Sequence, residues 1–154
     1  MKLDEVQIKK QLSIAFENHK NKKFQTAEKL YKEILNLNKN HIEANFNLGT
    51  LYSQLKKFDL ALPLLMRAKQ LNPNNISINL NIGNLFLNKG DFETSLIYFE
   101  KIIQIQPKSV LAHFNKGIIY NKQKKYQDAI RCFEKVIEIE PNNIDAYNVI
   151  GIIF

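Results

Sequence analysis

Three asparagines, Asn47, Asn81 and Asn115, recur at intervals of 34 residues, and the place before that register is always apolar: Leu12, Phe46, Leu80 and Phe114. A carboxamide carries both a donor and an acceptor, so it can bond both sides of an extended peptide backbone without reading its sequence. Apolar groups beside it would then take alternate side chains of the ligand. Asparagine is a poor helix former, so three in one register need a reason. Two reasons are open. The amides line a peptide-binding groove, or they bond neighbouring helices within the fold. The register ends on both sides, at Ser13 and Val149.

Residue types able to do covalent or acid–base chemistry are scarce and scattered. His19, His41 and His113 fall at three different places of the 34-residue register, so they do not converge as ligands or as an acid–base pair. Neither a phosphate loop, a nucleophile motif nor a CxxC spacing is present. Cys132, beside Phe133, reads as a small core residue. Glu134, Glu138 and Glu140 form a solvated helix face. These patterns predict a chain that is not an enzyme and holds no cofactor or metal.

Lysine is the other periodic polar residue. Lys20, Lys22, Lys23, Lys56, Lys57, Lys89, Lys122, Lys124 and Lys125 all fall at the turn between two helices of a repeat. Stacked turns would align them as a basic rim, with Lys22, Lys23, Lys56, Lys57, Lys124 and Lys125 at its centre. Such a rim would guide an acidic partner or touch RNA phosphates; the alternative is an ordinary solvated turn. Exposed aromatics for stacking single-stranded bases do not interleave with these lysines, which disfavours nucleic acid as the partner.

The elements that must position these groups follow from the period itself. Gly49, Gly83, Gly117 and Gly151 are also spaced by 34 residues, with Ala15 one interval earlier. Counting from Ile8, Ile42, Ile76, Val110 and Ile144 gives four units, 8–41, 42–75, 76–109 and 110–143, and a truncated fifth, 144–154. Each unit is small at positions 8 and 20, where two helices of a hairpin must approach. It is large at position 24 (Tyr31, Leu65, Phe99, Phe133), and Pro73, Pro107 and Pro141 end the second helices. Asn75, Ser109 and Asn143 stand where a side-chain oxygen caps the next helix, and Asp59 reads as a cap shortly before Pro63. A fixed period of this length predicts an all-α, right-handed superhelical solenoid of antiparallel helix pairs, one domain over 1–154.

Of 154 residues 45% are hydrophobic and only four are proline, which excludes a disordered chain. The net charge of +7 is compatible with lysine filling solvated helix faces. A single cysteine excludes an internal disulfide. No apolar run approaches the roughly 18 residues of a membrane span. The default location read from these features is cytoplasmic.

The small residues at positions 8 and 20, aromatics at 11, 17 and 24, and proline at 32 resemble the tetratricopeptide repeat. The usual tryptophan at position 4 is absent, replaced by Gln11, Asn45, Asn79, His113 and Tyr147, and Lys116 stands where leucine is usual. The resemblance implies a non-catalytic scaffold that binds an extended peptide or partner protein in a concave groove lined by the first helices. The asparagine register is similar to that of the repeats in O-linked N-acetylglucosamine transferase and related bacterial proteins. The alternative it carries is a recognition arm of a larger bacterial glycosyltransferase or sulfotransferase; an RNA-contacting scaffold ranks below both. The carboxylate clamp of chaperone-binding repeats is not matched in any register, because its cation positions hold residues such as Leu12, Phe46 and Leu80. Finally, Tyr147, Ile150, Gly151 and Phe154 form one face of an unfinished hairpin. That face predicts a fragment of a longer protein, with fraying or end-to-end self-association at this end.

Overall fold

The computed structural model describes residues 5–153. Among the described residues the chain forms helices only: α1 (Glu5–Lys20), α2 (Phe24–Leu37), α3 (Ile42–Gln54), α4 (Phe58–Leu71), α5 (Ile76–Lys89), α6 (Phe92–Ile105), α7 (Val110–Lys122), α8 (Tyr126–Ile139) and α9 (Ile144–Ile153). Phe154, one of the residues expected to form the unfinished face, lies outside the described residues. The helices fall into two compact units, the first ending at Asn81 and the second beginning at Ile82, so the division runs through α5.

In the first unit α1 pairs with α2, α3 pairs with α4, and α2 packs on α3. Its core is the set that the period picks out: Ala15, Ala27, Tyr31, Ile34, Ala61, Leu65 and Ala68 are all fully buried. In the second unit α7 pairs with α8, and α6 and α9 pack against that pair. Phe99, Ile102, Ala129, Phe133 and Val136 are fully buried there. Tyr126 departs from the pattern, remaining 46% exposed where Phe24, Phe58 and Phe92 are half-buried.

The glycines mark the helix crossings. A Cβ at Gly49 would stand 2.8 Å from Leu65 Cγ, at Gly83 2.9 Å from Phe99 Cε1, and at Gly117 2.7 Å from Phe133 Cζ. Each glycine therefore faces the large residue at position 24 of its own unit, closer than carbon contacts of about 3.5–4.0 Å permit for any side chain. The small residue at position 20 lets the second helix come that near. At Ser95 it also contributes a bond, Oγ donating to the Gly83 carbonyl at 2.7 Å. Gly151 differs, because a Cβ there meets nothing within 4 Å.

Helix starts follow local chemistry, with two departures from expectation. Asn75 and Asn143 cap as expected, each Oδ1 accepting at 3.0 Å from the N–H of Ile78 and Ala146. Ser109 occupies the cap position of α7, but its shorter side chain is packed inward and makes no cap bond. Asp59 is not a cap either: α4 begins at Phe58 behind Lys57, which places Asp59 inside the first turn. The cause is the turn before it, where Lys56 takes a left-handed backbone (φ 57) and ends the connection early. Pro63 then lies within α4, exposed, and removes the N–H that would have reached the Asp59 carbonyl. One cap was not foreseen: His41 Nδ1 accepts from the Ala44 N–H at 3.3 Å.

Position 4, where tryptophan is usual, serves as a tie. Asn45 Nδ2 donates to the carbonyls of Lys39 and His41, both at 2.9 Å. Asn79 Nδ2 does the same to Pro73 and Asn75, at 3.0 and 2.8 Å. His113 Nε2 lies 2.9 Å from the Pro107 carbonyl. These side chains bond the carbonyls of Lys39, Pro73 and Pro107 just past the preceding helix, and those of His41 and Asn75, which also accept the first backbone bond of the next helix. The lysine at the usual leucine position, Lys116, reaches Glu100 at 3.3 Å and lies 6.0 Å from the Tyr120 ring.

Candidate functional site

The asparagine register acquires its geometry from the helix before it. Asn81 Nδ2 donates to Thr50 Oγ1 at 3.1 Å, and Thr50 Oγ1 in turn donates to the Phe46 carbonyl at 2.8 Å. In the second unit Asn115 Nδ2 donates to Asn84 Oδ1 at 3.2 Å. The partner is in both cases 31 residues earlier. For Asn47 that place is Phe16, which offers no acceptor, and the Asn47 carboxamide makes no hydrogen bond among the described residues. Asn47 is half-buried, so its donor and acceptor groups are both held close to the protein surface and both open.

A concavity of about 430 Å³ opens at this break in the first unit. Its apolar wall is Phe16, Phe24 and Phe46, with Phe16 50% exposed. Asn47, Thr50, His19 and Gln54 supply its polar side, and Lys20 and Lys22 complete the lining. His19 is buried and fixed, its Nε2 2.9 Å from Gln54 Oε1 and its ring edge-on to Phe24 and Tyr31. The polar side of the pocket is anchored at His19, and its aromatic side is most exposed at Phe16.

The other expected groove residues do not all meet here. Leu12 lines a separate concavity of about 420 Å³ with Ile8, Asn38, His41 and Glu43. Leu80 is half-buried in α5. Phe114, in the second unit, packs its ring edge-on against Phe133 at 5.2 Å and joins the core cluster of α8 and α9. Asn81 and Asn115 each commit one amide N–H to a neighbouring helix and keep their carbonyl oxygens.

The lysine turns share one conformation. Lys22, Lys56 and Lys124 are left-handed, with φ of 59, 57 and 59, and Gly90 holds the same register at φ 80. Lys23, Lys57 and Lys125 then stand at the N-caps of α2, α4 and α8, none with a side-chain cap bond; Asp91 of the glycine turn does cap, accepting from Thr94 N–H at 3.0 Å. Lysine is unfavourable at both places, by left-handed strain at the first and by the helix dipole at the second. Lys57 and Lys125 lie about 6 Å from the rings of Tyr52 and Tyr120.

Three perturbed groups lie outside the concavity. The Tyr31 hydroxyl is buried without a partner, and burial pushes its pKa up to about 12. Glu28 accepts from Lys32 at 2.6 Å and from Tyr52 at 2.7 Å, which holds its carboxyl below the ordinary value. Cys132 is half-buried, and burial raises its thiol pKa. No group of three or more His, Cys, Asp or Glu side chains is arranged to hold a metal among the described residues. No helix among them is long and apolar enough to cross a membrane.

Sequence reasoning missed the concavity because two of its walls, Phe16 and His19, fall at register places that the packing pattern leaves undefined, and a third, Phe24, reads there as a packing aromatic. The signal was present nonetheless, in the aromatic Phe16 at the register place that holds Thr50 and Asn84 elsewhere.

Two models of the tetratricopeptide repeat match the chain, one over residues 42–75 and 110–143 and the other over 76–109. No curated protein matches it. Among solved structures, one crystal structure of MamA aligns with a TM-score of 0.82 at 22% identity, covering 91% of this chain and 82% of that one. A second MamA crystal structure gives 0.84 at 21% identity, with 95% and 80% covered. MamA 41-end from Desulfovibrio magneticus RS-1 gives 0.82 at 20% identity, with 89% and 77% covered. At these identities the likeness is one of fold. With three consecutive repeats matched over 42–143, helices alone among the described residues, and small-against-large packing at the helix crossings, the chain belongs to the tetratricopeptide repeat family, as a non-catalytic scaffold.

Proposed function

We propose that this scaffold binds an extended peptide segment of a partner protein, and that Asn47 is its principal backbone contact. The observation that carries the reading is the open Asn47 carboxamide beside the exposed Phe16 and half-buried Phe46 in one concavity. A peptide laid there would bond Asn47 through one backbone group, an N–H or a C=O, while an adjacent side chain covers the aromatic wall. Asn81, in the same unit, extends the same chemistry through its carbonyl oxygen beside the half-buried Leu80. Asn115 keeps a carbonyl oxygen of the same kind in the second unit. Lys22, Lys23, Lys56, Lys57, Lys124 and Lys125 would add attraction for acidic partners. Self-association through α9 belongs to the same proposal, supported by the exposure of Tyr147 and Gly151 on the expected face and of Ile144 and Ile152 elsewhere on the helix, whereas Ile150 of that face is packed against the core.

The clean test is Asn47→Ala, which breaks no internal bond. Peptides selected from an immobilised array should lose about fivefold in affinity, the worth of one amide hydrogen bond. Substituting Asn47 and Asn81 together should cost about 25-fold. Unchanged affinity in Asn47→Ala, with the fold intact by circular dichroism, would overturn the reading.

A further inference from the structure

The concavities of this protein differ in charge. Those beside Leu12, along α2 and before α9 each mix or collect carboxylates: Glu5 and Glu43, Glu28 and Glu33, Glu140 and Asp145. The concavity at Asn47 is lined by two lysines, Lys20 and Lys22, and by no carboxylate. Neither lysine side chain is paired with an acid among the described residues, and both are exposed. A pocket with an aromatic wall and an uncompensated positive edge selects by charge as well as by apolar contact.

Lys22 adds a second observation. It holds a left-handed backbone that the equivalent Gly90 adopts without strain. Lys56 and Lys124 share that backbone, but of the three only Lys22 lines this concavity.

We infer that the occupant is an acidic peptide segment in which one aromatic or large aliphatic residue is flanked by Asp or Glu. The apolar side chain lies against Phe16, Phe24 and Phe46, and the flanking carboxylate is held by Lys20 and Lys22. This rests on the peptide-binding reading above and names the partner's chemistry within it.

The experiment uses the full chain and labelled octapeptides with a central Phe whose two neighbours are both Asp, both Asn or both Lys, read by fluorescence anisotropy. At low ionic strength the Asp peptide should bind about fivefold or more tighter than the Asn peptide, and the gap should narrow as salt is added. Lys22→Gly should raise the melting temperature and reduce the Asp preference together, a pairing that a purely structural lysine would not produce. Lys108→Gln, which removes the same charge elsewhere, should leave the preference in place. Equal binding of the Asp and Asn peptides would overturn the inference, as would a preference that survives Lys20→Gln with Lys22→Gln. If Phe-dependent binding persists and responds to Asn47→Ala without any acidic preference, only the inference falls. If no peptide of the set or of the array binds, the peptide-binding reading falls with it.

Discussion

Replacing Gly117 by alanine should destabilise the protein, although alanine is the better helix former by about 1 kcal/mol. The added Cβ would stand 2.7 and 2.8 Å from Cζ and Cε1 of Phe133. That ring is fully buried and makes an edge contact with Phe114 at 5.2 Å, so moving it displaces a second ring. Overpacking of this kind costs about 1–3 kcal/mol, which exceeds the propensity gain over most of its range. A net loss of about 1 kcal/mol is expected. Gly151 occupies the same register in α9 with nothing within 4 Å of its Cβ position, so Gly151→Ala should keep the gain alone, about 0.5–1 kcal/mol. The same chemical change should thus have opposite signs at two equivalent places. Urea unfolding followed by circular dichroism reads the first. Amide exchange over α9 reads the second, because a helix packed on one side can open locally. A higher urea midpoint for Gly117→Ala would refute the packing argument.

Three further outcomes are expected. Lys56→Gly and Lys124→Gly should each stabilise by about 0.5–1 kcal/mol, since left-handed strain exceeds the added chain entropy of glycine; a lower melting temperature in both would contradict the turn geometry. Glu28 is held below its ordinary value of 4.5 by its bonds to Lys32 and Tyr52, so its stabilisation is present above that value and is lost as pH falls through the depressed one. Glu28→Gln should therefore show a shallower loss of stability on acidification below about pH 4.5, and identical acid limbs would refute the assignment. Phe16→Thr places an acceptor 31 residues before Asn47, as Thr50 stands to Asn81. It should engage the Asn47 amide and weaken peptide binding at least as much as Asn47→Ala, and unimpaired binding would contradict the role given to the open carboxamide.

The hairpin packing was legible because its cause is steric and periodic. A glycine at one place, a small residue twelve further on and a large one four beyond that leave one way for two helices to meet, and Gly83, Ser95 and Phe99 show it. Caps were less legible. Asp59 looks like a cap in the sequence, but the helix start depends on where the preceding turn ends, and that is set by the left-handed residue at Lys56. Lysine gives no local sign of that conformation. The sign lies one repeat away, in Gly90, which occupies the same register and needs the positive φ that glycine accommodates.

The candidate site shows the same division between register and bond. The three asparagines are equivalent in sequence spacing, yet they are not equivalent in the fold, and nothing in the residues themselves distinguishes them. The difference comes from the residue 31 places earlier: a hydroxyl for Asn81, a carboxamide for Asn115, an aromatic ring for Asn47. In two repeats that neighbour engages the amide and ties helix to helix. In the other, the ring withholds a partner, becomes half-exposed and opens a hollow beside the amide. One substitution in a repeating frame thus converts a structural bridge into an open polar group next to apolar surface. In a scaffold whose units share one frame, the departure from that frame is where the proposed ligand would be told from the fold's own contacts.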